Sequence, residues 1–271
     1  MATDRLAPVE QHEPMGAPVH RLVPGSPLLS IRSLRKSFDG RTPVLADVSL
    51  DLANHETVAL IGSNGTGKST LLRCCVRLIE PDGGDTQLFG ENLRALNGRA
   101  LRRLRAQAGF VFQKHNLVPR LSVLSNVVHG AQGRVAGPMS WHQLFAPQAL
   151  RQEAMHCLDL VGLADLAARR ADQLSGGQSQ RVAIARALMQ RPRLVLADEP
   201  VASLDPKAGE EVMCLFADLM RRQGVSVLFT SHNVGQAIRY SDRVIGLRGG
   251  RIALEGLSGR QSESALSALY E

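Results

Sequence analysis

The stretch Gly62-Ser63-Asn64-Gly65-Thr66-Gly67-Lys68-Ser69-Thr70 constrains this chain more than any other. An apolar run, Val58-Ala59-Leu60-Ile61, precedes it and a helical pattern follows. That is the strand–loop–helix context a phosphate-binding loop requires. Glycines at 62, 65 and 67 let the backbone turn tightly and bring N–H groups against phosphate oxygens with no Cβ in the way. The N-terminus of the following helix adds partial positive charge where an anion would sit. In such a loop Lys68 reaches the β- and γ-phosphates of a nucleotide, and the Ser69 hydroxyl completes the shell of a Mg²⁺ ion.

The rest of the chain is organised around that loop. Residues 1 to about 27 are interrupted by Pro8, Pro14, Pro18, Pro24 and Pro27, and read as a disordered extension. From Leu28 the text becomes strand-like: Leu28 to Ile31, Leu34 to Phe38, a turn at Asp39-Gly40, then Val44 to Leu52 with alternating apolar residues. Phe38 stands just before the turn, where its ring either stacks on an adenine base or packs in the core. After the loop, Leu71, Leu72, Cys75, Val76 and Ile79 share one face of a helix ending near Pro81. The stretch Leu93 to Leu104, with Arg94, Arg99, Arg102, Arg103 and, just after it, Arg105, reads as a solvated helix face. No aromatic residues are interleaved there for stacking on bases, so nucleic acid is not an expected partner.

Polar residues recur at the ends of the later strands. Gly109 to Phe112 is a short buried strand with Gln113 at its C-terminal end. Lys114 to Asp172 reads as helices and loops, with Trp141 expected to be packed. Leu174-Ser175-Gly176-Gly177-Gln178 then leads into a helix with Val182, Ala185 and Leu188 on one side, and its glycines make a second anion site or a plain loop–helix junction. Leu194 to Ala197 is a buried strand ending in Asp198-Glu199-Pro200. One of those acids can hold Mg²⁺ through water, and the other can orient or deprotonate an attacking water. Asp205 is placed to cap the next helix. Val225 to Phe229 is a further strand, followed by His232. In an open α/β sheet, ligands bind beyond the carboxyl ends of the strands. Lys68, Gln113, Asp198, Glu199 and His232 are thus expected to gather above one sheet edge.

Composition adds limits. The chain has 271 residues and a formal charge of +7, which serves solubility or an anionic surface without choosing between them. Its four cysteines, Cys74, Cys75, Cys157 and Cys214, form no C-x-x-C pair, so buried free thiols in a reducing, cytosolic compartment are expected. No apolar run approaches the roughly eighteen residues of a membrane helix. The sequence therefore predicts a soluble chain, or one held at a membrane by a partner.

With these pieces in order, the chain resembles the nucleotide-binding subunits of ABC transporters. The loop at 62–70, Gln113, Leu174 to Gln178, Leu196 to Glu199, Ser203-Leu204-Asp205 and His232 match the ordered motifs of that family, and the signature Leu-Ser-Gly-Gly-Gln is nearly diagnostic. The resemblance spans about 28–271 and implies an α/β P-loop NTPase fold: a mixed parallel-sheet core, an N-terminal antiparallel β subdomain and a helical subdomain over about 114–178. It further implies that Phe38 stacks on adenine, although a tyrosine is usual there. Ser175, Gly176 and Gly177, with Gln178, would bind the γ-phosphate of ATP held by a second copy, and Asp205 would bridge the dimer. Asp198 would support Mg²⁺, Glu199 would act as general base, and His232 would contact the γ-phosphate. Gln113 would link Mg²⁺ and the attacking water to a membrane partner.

Gln113 to Val118, Leu124 to Gly130 and Ala197 to Pro206 resemble importers of phosphonates more specifically; Ser179, where glutamine is commoner, is a departure. The implied assembly is a homodimer of ATPase subunits on two integral membrane permease subunits. A periplasmic phosphonate-binding protein would feed it, and the ATPase would lie peripherally on the cytoplasmic face of a bacterial inner membrane. An importer of phosphate, phosphite or a polar amino acid is the alternative. A non-transport ABC ATPase acting on nucleic acid or ribosomes is a distant one.

Overall fold

Alternation of buried side chains decides how the sheet is layered. A computed structural model describes residues 25–135, 140–267 and 270. Strand β1 (Leu29–Ser37) pairs antiparallel with β2 (Pro43–Leu52), and β3 (Thr57–Ile61) runs into the phosphate loop and helix α1 (Lys68–Cys75). Then follow β4 (Gly83–Leu88), β5 (Glu91–Asn92), α2 (Gly98–Arg105) and β6 (Ala108–Val111). Helices α3 (Val123–Val128), α4 (Gln148–Leu160) and α5 (Gly176–Leu188) come next, then β7 (Leu194–Ala197), α6 (Pro206–Arg222) and β8 (Ser226–Thr230). The described chain closes with α7 (Val234–Tyr240), β9 (Arg243–Arg248), β10 (Arg251–Leu257) and α8 (Glu263–Ser267).

One ten-stranded sheet runs in the order β5-β4-β1-β2-β10-β9-β3-β8-β7-β6. The segment β9-β3-β8-β7-β6 is parallel throughout, while β5, β4, β1 and β2 form the antiparallel wing. This is the expected mixed α/β architecture. Parallel strands covered on both faces are apolar on both sides, and β3 obeys the rule: Ala59 and Ile61 join one core, Val58 and Leu60 the other. Val195 and Ala197 of β7, with Val227 and Phe229 of β8, lie with Ala59 against α4, α5 and α6. Leu194, Leu196 and Leu228 face α1 and the antiparallel wing.

Several local expectations change. The arginine-rich stretch is two pieces, a 3₁₀ turn at Leu93–Ala95 and α2. Asn97 causes the break: its side chain accepts the N–H groups of Arg99 and Ala100 and caps a new helix. Arg102 and Arg103 are solvated as expected, but Arg105 turns inward and donates to the carbonyls of Val76 and Arg77. Helix α1 stops at Cys75 rather than near Pro81, because Arg77 adopts a left-handed φ of 54°. Helices α3, α4 and α5 pack on one another, and α5 carries Val182, Ala185 and Leu188 as expected. Trp141, expected to be packed, is 64 % exposed; its carbonyl accepts from His129 while its ring faces solvent. Cys74, Cys75 and Cys157 are buried free thiols, but Cys214 lies on the exposed face of α6. Of the extension expected over 1–27, residues 1–24 lie outside the described residues. No helix among the described residues is long and apolar enough to cross a membrane.

Candidate nucleotide site

The parallel register brings the strand ends level. Leu60 of β3 pairs with Thr230 of β8, Phe229 with Ala197 of β7, and Ala197 with Val111 of β6. The residues after each strand therefore emerge at one edge.

The loop after β3 needs its glycines for packing as well as for phosphate. Gly62 has a φ of 147°, and a Cβ there would lie 2.3 Å from the Leu247 carbonyl oxygen on neighbouring β9. Gly67, with a φ of 99°, caps α1 without a side-chain hydrogen bond, so the first-turn N–H groups of α1 stay directed at the loop. The start of β2 lies against Gly67, the Val44 carbonyl standing 2.7 Å from where its Cβ would be. The turn between β1 and β2 is thereby held beside the loop. Asp39 organises that turn by accepting from the N–H groups of Arg41 and Thr42 and from the Ser37 hydroxyl, and these bonds hold its carboxyl far below the usual range. Phe38 next to it is 65 % exposed, which removes the core-packing reading, and the Lys36 ammonium stands 5.5 Å from the centre of its ring.

Lys68 is buried, and its Nζ donates to the carbonyls of Gly62 at 2.8 Å and Ser63 at 3.0 Å. Burial lowers its pKa, and the Glu199 and Asp198 carboxylates oppose that shift. The two acids thus lie within electrostatic reach of the loop lysine. The Ser69 hydroxyl donates to Asp198 Oδ1 at 2.8 Å. Asp198 is 5 % exposed, and Arg73 of α1 stands 3.7 Å from its Oδ2.

Glu199 follows in a left-handed conformation, φ 47°, unusual for a side chain of that size. Such strain concentrates at functional sites. The conformation turns Glu199 toward His232, whose Nδ1 lies 3.7 Å from Glu199 Oε2. Lys68, Ser69, Asp198, Glu199 and His232 are thus brought together. Gln113, two residues beyond β6, is exposed at the same edge.

The signature segment belongs to another element, the start of helix α5. Ser175 is the cap of α5, and Gly176 and Gly177 are its first helical residues rather than a loop preceding it. A capping box closes here: the Ser175 hydroxyl accepts from the Gln178 N–H, and the Gln178 side chain accepts from the Ser175 N–H. The Gly176 and Gly177 N–H groups keep no intrahelical acceptor, which suits them to an anion brought from outside. Ser175 and Gly176 are exposed. Asp205 caps α6 by accepting from the Ala208 N–H at 3.0 Å and is also exposed.

Four residues of the site were not singled out from the sequence. Thr230 donates to Asp198 Oδ1, Arg73 faces Asp198 Oδ2, and His115 Nε2 lies 3.0 Å from the Gly176 carbonyl. The fourth is Tyr270, whose hydroxyl oxygen accepts the Gly62 N–H at 3.4 Å. A polar residue closing the apolar run Val227-Leu228-Phe229 is the signal that marks Thr230; the other three contacts are long-range and carry no local pattern.

Residues 45–202 match the ABC transporter family. The chain is 45 % identical over 246 residues to the Phosphonates import ATP-binding protein PhnC of Nitratidesulfovibrio vulgaris, covering 91 % of this chain and 92 % of that one. It is 44 % identical to the protein of the same name from Bordetella parapertussis, covering 89 % and 96 %. Among solved structures, the dimeric bacterial ABC transporter cassette MJ0796 superposes with a TM-score of 0.75 at 33 % identity, covering 85 % of this chain and 98 % of that one. A post-hydrolysis state of the same cassette, bound to ADP and Pi, gives a TM-score of 0.73 at 32 % identity, covering 85 % and 98 %. The phosphate loop, the paired acids and the capped signature helix sit on a chain that belongs to the ABC transporter family.

Proposed function

We propose that this chain is the ATP-hydrolysing, energy-coupling subunit of a phosphonate importer. It works as a homodimer on two integral membrane permease subunits, peripheral to the cytoplasmic face of a bacterial inner membrane, with a periplasmic phosphonate-binding protein delivering the solute. The observation that carries this reading is the convergence of Lys68, Ser69, Asp198, Glu199 and His232 at one sheet edge, with the exposed Ser175-Gly176 cap elsewhere on the same chain. The relatives at 45 % and 44 % identity, whose names specify phosphonate import, support the solute.

The roles follow from the chemistry. The N–H groups from Ser63 to Thr70, Gly62 forming the turn that admits them, cradle the phosphates with Lys68, and Phe38 stacks on the adenine. A hydroxyl and a carboxylate 2.8 Å apart, Ser69 and Asp198, are hard oxygen donors of the kind Mg²⁺ takes one or two of, with phosphate and water supplying the rest. Ser69 and Asp198 would hold Mg²⁺ there, where the ion would supply charge neutralisation at the phosphate oxygens. Glu199 orients and deprotonates the attacking water, and His232 holds the γ-phosphate opposite it. Ser175, Gly176 and Gly177 of one copy, positioned by Gln178, complete the site of the other, and Asp205 lies at the junction. Gln113 senses the site from the side of the helical region. Closure on ATP and reopening on hydrolysis shift the membrane subunits between their states by differential contacts.

The test is ATPase activity of the complex reconstituted with its membrane subunits and binding protein. An alkylphosphonate should stimulate turnover at concentrations where phosphate, phosphite and polar amino acids do not. Stimulation by one of those instead would overturn the assignment of the solute.

A further inference from the structure

Thr230 is the last residue of β8 and is fully buried, with the Asp198-Glu199 pair beside it just after β7. Its hydroxyl has two partners. The Glu199 backbone N–H donates to Thr230 Oγ1 at 2.8 Å, and Thr230 Oγ1 stands 3.1 Å from Asp198 Oδ1. Because an amide can only donate, the threonine proton must point at the carboxylate. The same Asp198 oxygen accepts from Ser69. One line of hydrogen bonds therefore runs from the Glu199 backbone through Thr230 to Asp198 and on to the phosphate-loop serine.

We infer that Thr230 is a positioning residue for hydrolysis, which fixes the Asp198 carboxylate and the strained backbone of Glu199 as one unit. Glu199 holds a φ of 47°, and such a conformation persists only where its surroundings over-determine it. The backbone bond from Glu199 to Thr230 is one such constraint, made at the residue's own N–H. The β-branched side chain, with χ1 stiff on a central strand, keeps the hydroxyl from turning away. A threonine serving β8 alone would bond to its own strand or to a neighbouring carbonyl. Here both partners belong to the pair of acids after β7.

The inference rests on the assignment of Asp198 and Glu199 above, so the experiment separates the two. Thr230→Val keeps the shape and strand preference and removes only the hydroxyl; Thr230→Ser restores it. Both are compared with wild type and with Glu199→Gln in the full chain. Steady-state ATPase is measured together with binding of a fluorescent ADP in Mg²⁺ and in EDTA. Displacing a reacting group by about 1 Å costs on the order of a hundredfold, so kcat of Thr230→Val should fall by roughly ten- to a hundredfold with KM nearly unchanged. Thr230→Ser should recover most of that loss. ADP affinity in EDTA should match wild type for both, while the gain on adding Mg²⁺ should shrink for valine alone. Equal losses in valine and serine, or a KM rising in step with the fall in kcat, would overturn the positioning role. Turnover lost in Glu199→Gln but kept in Thr230→Val would overturn it as well. Turnover kept in both would overturn the assignment of the base itself.

Discussion

Replacing Gly62 by alanine should be the most damaging single-methyl change in the phosphate loop. The added Cβ would meet the Leu247 carbonyl oxygen at 2.3 Å and Thr66 Oγ1 at 3.1 Å. The first of these is backbone of β9, which pairs with β3 through Ile61 and Gly246. It cannot swing aside as a flexible side chain would. Reaching ordinary contact requires the strands to part by roughly 1 Å at the loop's root. A φ of 147° adds strain of about 1–3 kcal/mol for an L-residue, and the overpacking a similar amount. For a domain of this size, where each kcal/mol lowers the melting temperature by about 2–4 °C, a combined loss of about 2–6 kcal/mol gives an expected drop of about 4–24 °C. Moving the loop by that distance should also weaken ATP binding at least tenfold, roughly 1.4 kcal/mol. Gly65→Ala is the control. Gly65 also has a positive φ, 80°, but nothing lies within 4 Å of its missing Cβ, so it should lose only about 1–2 kcal/mol of backbone strain. Differential scanning calorimetry and titration with a fluorescent ATP analogue read both quantities. Equal melting temperatures for the two variants, or Gly62→Ala binding ATP as wild type does, would refute the reasoning.

Two further outcomes follow from particular residues. Phe38→Ala should lower nucleotide affinity by roughly 5- to 100-fold, the worth of one base–aromatic stack, while leaving the melting temperature unchanged because the ring is exposed; Phe38→Tyr should keep the affinity, and an Ala variant that binds normally would remove the stacking role. His115 is pushed below its usual pKa of 6.5, first by burial and then by the Arg186 guanidinium. With the native pKa lower, the unfolded chain binds more protons, so the stabilisation from keeping the imidazole neutral is complete above pH 6.5 and is lost as pH falls through the native pKa. Denaturant midpoints of His115→Gln should therefore decline less than wild type from about pH 6.5 downward, and parallel profiles would contradict this.

The chemistry of the site was legible because its residues occur at strand ends, where a short apolar run hands over to a polar residue. Val58 to Ile61 before the loop, and Leu194 to Ala197 before Asp198, are fully buried runs with one reading only. The sheet order was not legible in that way. Nothing local in Ser226–Thr230 says that it inserts between β3 and β7, yet this insertion puts Thr230 between Ser69's partner and Glu199. Trp141 departs from its expected burial for a related reason: hydrophobicity favours burial on average, but its segment leaves the ring, with Leu144 and Phe145, exposed. The break at Asn97 was readable in principle, since asparagine before a glycine and a helical run is a cap signal. The signature motif gave its identity at once, and the structure adds why it holds its shape, through the Ser175–Gln178 box.

Under the proposed function each chain carries half of each of two ATP sites, and Glu199 performs the hydrolysis. Sedimentation equilibrium of Glu199→Gln with ATP and Mg²⁺ tests it most directly, alongside ATPase assays of the same sample. The account predicts a stable dimer with ATP retained and no measurable turnover, returning to monomer when ADP replaces ATP. A Glu199→Gln monomer that hydrolyses ATP at the wild-type rate would contradict it.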